Sequence, residues 1–148
     1  MTHVSVNNAP VLRGLTTVSF YASDLKAARA WYGDFLKIAP YFERPDTENP
    51  AYIEFRIGDY QHELGIISSD YAPKKANVGP GGAIVYWHVD DIDAALNRVK
   101  AMGATEYDPI THREAGFITA AVMDPFGNVL GLMHNPHYLE VLSSGPKI

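Results

Sequence analysis

The sequence predicts an α+β protein built from two copies of one unit, in which a strand leads into a helix and then into a closing pair of strands. Three observations carry this reading. Two alternating runs that end in an acidic and an aliphatic residue recur 67 residues apart. Each is followed by apolar residues at helical spacing. Each half closes on a Leu-Gly-aliphatic triplet within a strand-like run, and the two triplets lie 66 residues apart. Landmarks that share nearly one offset point to a duplication.

The first run, Thr17 to Leu25, alternates apolar and polar residues and ends at Ser23-Asp24, either of which can cap a helix. Leu25, Ala28, Trp31, Tyr32 and Phe35 then recur on one helical face. Tyr52 to Ile57 and Glu63 to Ser68 read as strands across the turn Gly58-Asp59-Tyr60. The second run, Ile84 to Ile92, has the same form, with Asp90 or Asp91 as cap. Ile92, Ala95, Leu96, Val99 and Met102 form its helical stripe, and Gly103 is placed to end it. Phe117 to Met123 and Val129 to Met133 close the second half across Asp124-Pro125-Phe126-Gly127-Asn128, a strong turn sequence.

Residues 69–82, rich in Pro, Gly and Lys, have linker composition. Each half holds about 60 residues, too few to bury a sheet face well alone. Residues 1–148 are therefore expected to form a single domain, with module 1 at about 12–68, module 2 at about 83–138 and a tail at 139–148. The absence of cysteine excludes thiolate catalysis, disulfides and cysteine metal sites. A net charge of −5 gives no basic footprint for nucleic acid and favours neutral or cationic partners. No apolar run has the length of a membrane span, and Met1 to Pro10 lacks the pattern of a signal peptide. The expectation is a cytoplasmic protein. The sequence holds no phosphate-cradling glycine loop, no Gly-x-Ser-x-Gly elbow and no His-Glu-x-x-His pair.

On these residues the chain resembles the vicinal-oxygen-chelate superfamily, which includes glyoxalases, bleomycin-resistance proteins and extradiol dioxygenases. The resemblance runs from about Leu12 to Tyr138. It rests on the strand leading to Ser23-Asp24-Leu25, on Ala30-Trp31-Tyr32, on Val89-Asp90-Asp91-Ile92, and most specifically on Asp124-Pro125-Phe126-Gly127-Asn128-Val129-Leu130. It implies two tandem βαβββ modules that form a curved mixed sheet around a cup, with the helices on the outer face.

In metal-dependent members of that superfamily, four strand positions hold a divalent metal. The resemblance maps them here onto Thr17, Gly65, Ile84 and Gly131, none of which is a carboxylate or imidazole. A divalent metal needs about three convergent ligands. No cofactor is therefore expected, and a divalent metal enters only through a relocated set. His134, His88 and Glu63 would make one if the last strand twists or bulges.

Strand alternation gives the lining of the cup. With Thr17 and Ile84 inward, Ser19, Tyr21, Tyr86 and His88 share their face, and Trp31 and Trp87 belong to the core. Tyr52, Glu54 and Arg56 turn inward opposite Ile53, Phe55 and Ile57, while Glu63 and Met133 share the parity of the two glycines. The bland readings are an ordinary Glu54–Arg56 pair, a hydrogen-bonded structural His88, and tyrosines that fill the cup.

Three functions follow. The first is metal-free binding of a small aromatic or cationic organic molecule, for which aromatic faces and carboxylates are suited. The second is a lyase, isomerase or dioxygenase of the same superfamily, with Glu54 or His88 as general base. The third is an interaction module with a filled cup. Each is expected as a homodimer, since paired modules of this superfamily commonly build cups across a dimer and short edge strands need covering.

Overall fold

The structure, a computed structural model, describes residues 11–73 and 82–145. Module 1 contains β1 (Thr17–Ala22), α1 (Leu25–Leu36), β2 (Phe42–Arg44), β3 (Tyr52–Ile57) and β4 (His62–Ser68). Module 2 contains β5 (Tyr86–His88), α2 (Ile92–Ala101), β6 (Thr105–His112), β7 (Ile118–Met123) and β8 (Val129–His134), followed by α3 (Pro136–Ser144). Both modules are four-stranded mixed sheets of one topology, ordered β1-β4-β3-β2 and β5-β8-β7-β6. The first strand of each runs parallel to the last, and the register sets Ser19 beside Gly65 and Tyr86 beside Gly131. The predicted fold of two tandem βαβββ modules is the one observed.

Local chemistry explains the helix starts. The Asp24 carboxylate accepts the Ala27 N–H and the Asp91 carboxylate accepts the Ala94 N–H, each at 3.0 Å. The alternation read from the sequence also holds. Val18, Phe20, Ala22, Ile53, Phe55, Leu64 and Ile66 are buried in one apolar cluster with Leu25, Ala28 and Tyr32 of α1. That cluster continues through Ile92, Leu96 and Val99 of α2 to Leu130 and Leu132 of β8, so both modules share a core.

The Asp124-Pro125-Phe126-Gly127-Asn128 turn ties the modules together. Asp124 is 3% exposed; its Oδ1 accepts the N–H groups of Phe126 and Asn128, while its Oδ2 accepts the Tyr32 hydroxyl at 2.5 Å. Asn128 continues the tie, accepting the Tyr21 N–H at 3.0 Å and donating to the Tyr21 carbonyl at 2.9 Å. Burial, then the neighbouring Asp124 carboxylate, push the Tyr32 phenol well above its ordinary pKa, so it stays a donor. Trp31 donates to the Met102 carbonyl, and the Arg98 guanidinium to the carbonyls of Asp34 and Phe35 at the end of α1.

The structure corrects two expectations and adds two details. Residues 139–148 are not simply a tail: α3 runs to Ser144 because the Asn135 side chain accepts the Tyr138 N–H and Pro136 suits the first helical turn. β5 is shorter than Ile84–Val89, although the Val85 carbonyl still accepts from Gly131 and the Val89 N–H donates to Met133. The run Thr105–His112 is a bulged edge strand that ends at His112. Trp87, like Trp31, is half-buried and packs against the core, and it also lines a cleft between the modules. Of the expected linker, Ser69–Tyr71 forms a single 3-10 turn and 74–81 lies outside the described residues. Among the described residues no helix is long and apolar enough to cross a membrane.

Candidate functional site

Each sheet has one face against the helices and one face free of them, and the predicted lining residues divide between the two free faces. On module 1, register places Glu54 beside Gly65, Arg56 beside Glu63, and Glu63 beside Thr17. The side chains form one network. Thr17 donates to Glu63 Oε1 at 2.6 Å; Tyr52 donates to Glu54 Oε1 and Arg56 Nε to Glu54 Oε2, each at 3.0 Å. A terminal nitrogen of Arg56 stands 3.9 Å from Glu63 Oε2. Glu54 is 4% exposed, and a carboxylate so buried needs the charge and hydrogen bonds that Arg56 and Tyr52 provide. Burial, then the bond to Glu54, push the Tyr52 phenol up to about 12, which keeps it protonated as a donor. The Arg56 guanidinium lies 3.6 Å from the centre of the exposed Tyr41 ring.

Module 2 is different. Its free face carries Tyr86 and Met133, with an open depression bounded by Arg113, Phe117 and Thr119. Arg113 is held there by the Thr119 hydroxyl at 3.1 Å. His88 is not available as a base. Its Nδ1 accepts the Asn135 N–H at 3.0 Å, its Nε2 lies 3.2 Å from Asp90, and its ring stacks on Tyr138 of α3 at 5.0 Å. Tyr138 in turn donates to Asp59 in the β3–β4 turn at 2.6 Å, binding α3 across both modules. Burial and the Asp59 bond push that phenol up to about 12.

The structure thus joins Thr17, Tyr52, Glu54, Arg56 and Glu63, with Ser19 beside Gly65. Tyr86 and Met133 stand apart on module 2, His88 lies under α3, and the Tyr21 backbone serves the tie between modules. Sequence reasoning missed Tyr41, Phe42, Arg113 and Thr119. Phe42 pairs with Glu54 on a strand of three residues, too short for alternation to reveal. Thr119 had a readable signal, since it lies two residues before Ala121, the register partner of Gly131.

The positions where metal-dependent relatives place ligands do not fit a metal here. A Cβ built on Gly65 would lie 2.7 Å from the Tyr52 ring and hydroxyl, and one on Gly131 would lie 2.7 Å from the Tyr86 ring and 2.8 Å from the Val85 carbonyl. Aromatic rings therefore occupy the space beside both glycines. Thr17 is committed to Glu63, and Ile84 has no donor. The relocated set is not assembled either. The His88 and His134 rings lie 5.4 Å apart, but Glu63 belongs to the module 1 network, and among the described residues no three His, Asp or Glu side chains converge.

Two βαβββ modules of one topology, packed through a shared core, define the fold class. Residues 14–132 match the Glyoxalase/Bleomycin resistance protein/Dioxygenase superfamily, and the chain belongs to it. Its fold is similar to that of a glyoxalase-related enzyme from Fulvimarina pelagi, with a TM-score of 0.65 and 21% identity over 84% of this chain and 90% of that one. It is also similar to a lactoylglutathione lyase from Agrobacterium tumefaciens, with a TM-score of 0.62 and 19% identity over 85% and 96% of the two chains. A bleomycin resistance determinant encoded on the transposon Tn5 gives 0.58 and 19% over 82% and 97%. No functionally curated protein matches the sequence.

Proposed function

We propose that this protein binds a small aromatic, cationic organic molecule without a metal, and does so as a homodimer. The observation that carries the reading is the module 1 network. Glu54 and Glu63 outnumber the one cation, Arg56, and they stand among Tyr41, Tyr52 and Phe42. Carboxylates beside aromatic faces suit a planar cation. The superfamily includes bleomycin-resistance proteins, which supports binding as a function in its own right. The dimer follows from the open faces. Among the described residues, the hydrogen bonds between modules run through α1, α2, the Asp124 turn and α3, and none joins the module 1 network to Tyr86 or Met133. A second copy supplies the facing half of each cup.

A catalytic reading is favoured less. His88 has both ring nitrogens engaged, and each Glu54 oxygen already accepts a hydrogen bond. The test is calorimetric titration with proflavine, a planar aromatic cation. Saturable binding by the wild type is expected, weakened about tenfold or more in Glu54→Gln. Sedimentation should give a dimer. A monomer that binds no cation of this class at millimolar concentration would sink the proposal.

A further inference from the structure

A cleft of about 360 Å³ opens between the modules on the helix side of the sheets, away from the faces discussed above. Its volume lies within the range of small-molecule sites, about 300–1,000 Å³. Phe35 and Leu36 of α1 form one wall, Trp87 and Val89 flank it from the β5 segment, and Leu130 and Leu132 make the floor. It exists because α2 presents Ala94 and Ala95 to the gap, and these small side chains do not reach α1. Trp87, packed against the core on one side, borders it and is therefore only half-buried.

The polar groups on the cleft wall are already committed. The Arg98 guanidinium is spent on the carbonyls of Phe35 and Asp34, at 2.7 and 2.6 Å, and His88 on Asn135 and Asp90. The rest of the wall is apolar, and apolar walls hold water poorly. We infer that this cleft is a second binding site, for an uncharged apolar molecule of aliphatic or simple aromatic type. It is independent of the proposed cation site, from which the sheet separates it.

The experiment is titration of the intact protein with 1-decanol, followed by calorimetry and by Trp87 emission. One saturable site is expected. Ala95→Leu, which fills the cleft from a helix position that leaves Leu96 and Val99 in place, should weaken binding at least about tenfold without lowering the melting temperature. Ala94→Leu does the same from an exposed position, should Ala95→Leu fail to fold. Glu54→Gln, on the opposite face, should leave decanol binding as it is while weakening proflavine, so the two sites fail separately. Decanol binding that is absent, or unchanged in both alanine variants, would overturn the inference. So would self-association that the alanine variants abolish in a protein that takes no decanol, since the cleft would then belong to a second copy.

Discussion

The two modules place different chemistry on the same scaffold. Register aligns Tyr52, Glu54, Arg56 and Glu63 of module 1 with Thr119, Ala121, Met123 and Val129 of module 2. A charged, hydrogen-bonded network in one half thus stands where the other half carries small or apolar groups. The glycines tell the same story in reverse. Both Gly65 and Gly131 lie against a tyrosine, but Tyr52 reaches Gly65 from the antiparallel neighbour β3, whereas Tyr86 reaches Gly131 from the parallel neighbour β5. The duplicated backbone fixed a place that accepts an aromatic ring, and each module filled it from a different strand. One face came to carry a buried carboxylate network, and the other Tyr86 and Met133 beside Arg113 and Thr119.

The strongest way to break this comparison is to uncouple the halves. Asp124→Ala removes the acceptor of the Tyr32 hydroxyl and of two turn N–H groups, and should cost about 3 kcal/mol in urea denaturation. Tyr32→Phe, which leaves the turn bonds in place, should cost about 1.5 kcal/mol. Equal losses in the two variants would show that the tie between modules matters and the turn does not.

The glycines sharpen the comparison. Gly131→Ala drives its methyl into the Val85 carbonyl, which is backbone and cannot turn aside, and should cost about 2–3 kcal/mol. Gly65→Ala meets only the mobile end of Tyr52 and should cost about 1 kcal/mol, most of it recovered when Tyr52→Ala is added. Reversal of that order would mean that the two tyrosines are not equivalent fillers.

The smallest effect is a pH response. Tyr52 and Tyr138 are both pushed up to about 12 from an ordinary value near 10. Phenols raised in the folded state contribute stability that is complete below about pH 10 and is lost as pH climbs through about 12. Absorbance titration of phenolate should show late tyrosines besides the buried Tyr32, one of them absent in Tyr52→Phe and another in Tyr138→Phe. Both titrating near 10 would remove the evidence that these bonds are formed.

Much of this architecture was legible in the sequence. The 67-residue offset, both Asp caps and the inward parity of Thr17, Tyr52, Glu54, Arg56 and Glu63 follow from local pattern, because alternation and capping are local properties. What escaped was set by contacts distant in sequence. The structural and catalytic readings of His88 could not be told apart because its partners, Asn135 and Tyr138, lie about 50 residues on, at the start of a helix that local pattern did not reveal. Nothing local says that Tyr52 and Tyr86 fold over Gly65 and Gly131. Phe42 belongs to a strand too short to carry a pattern, and Tyr41 lies just before it.

The central claim is that the cup recognises its ligand through its own side chains. The most direct test is metal content of the purified protein, with proflavine titrated before and after dialysis against EDTA. The account predicts substoichiometric metal and an unchanged dissociation constant and melting temperature. Near-stoichiometric metal whose removal abolishes binding and lowers the melting temperature would contradict it.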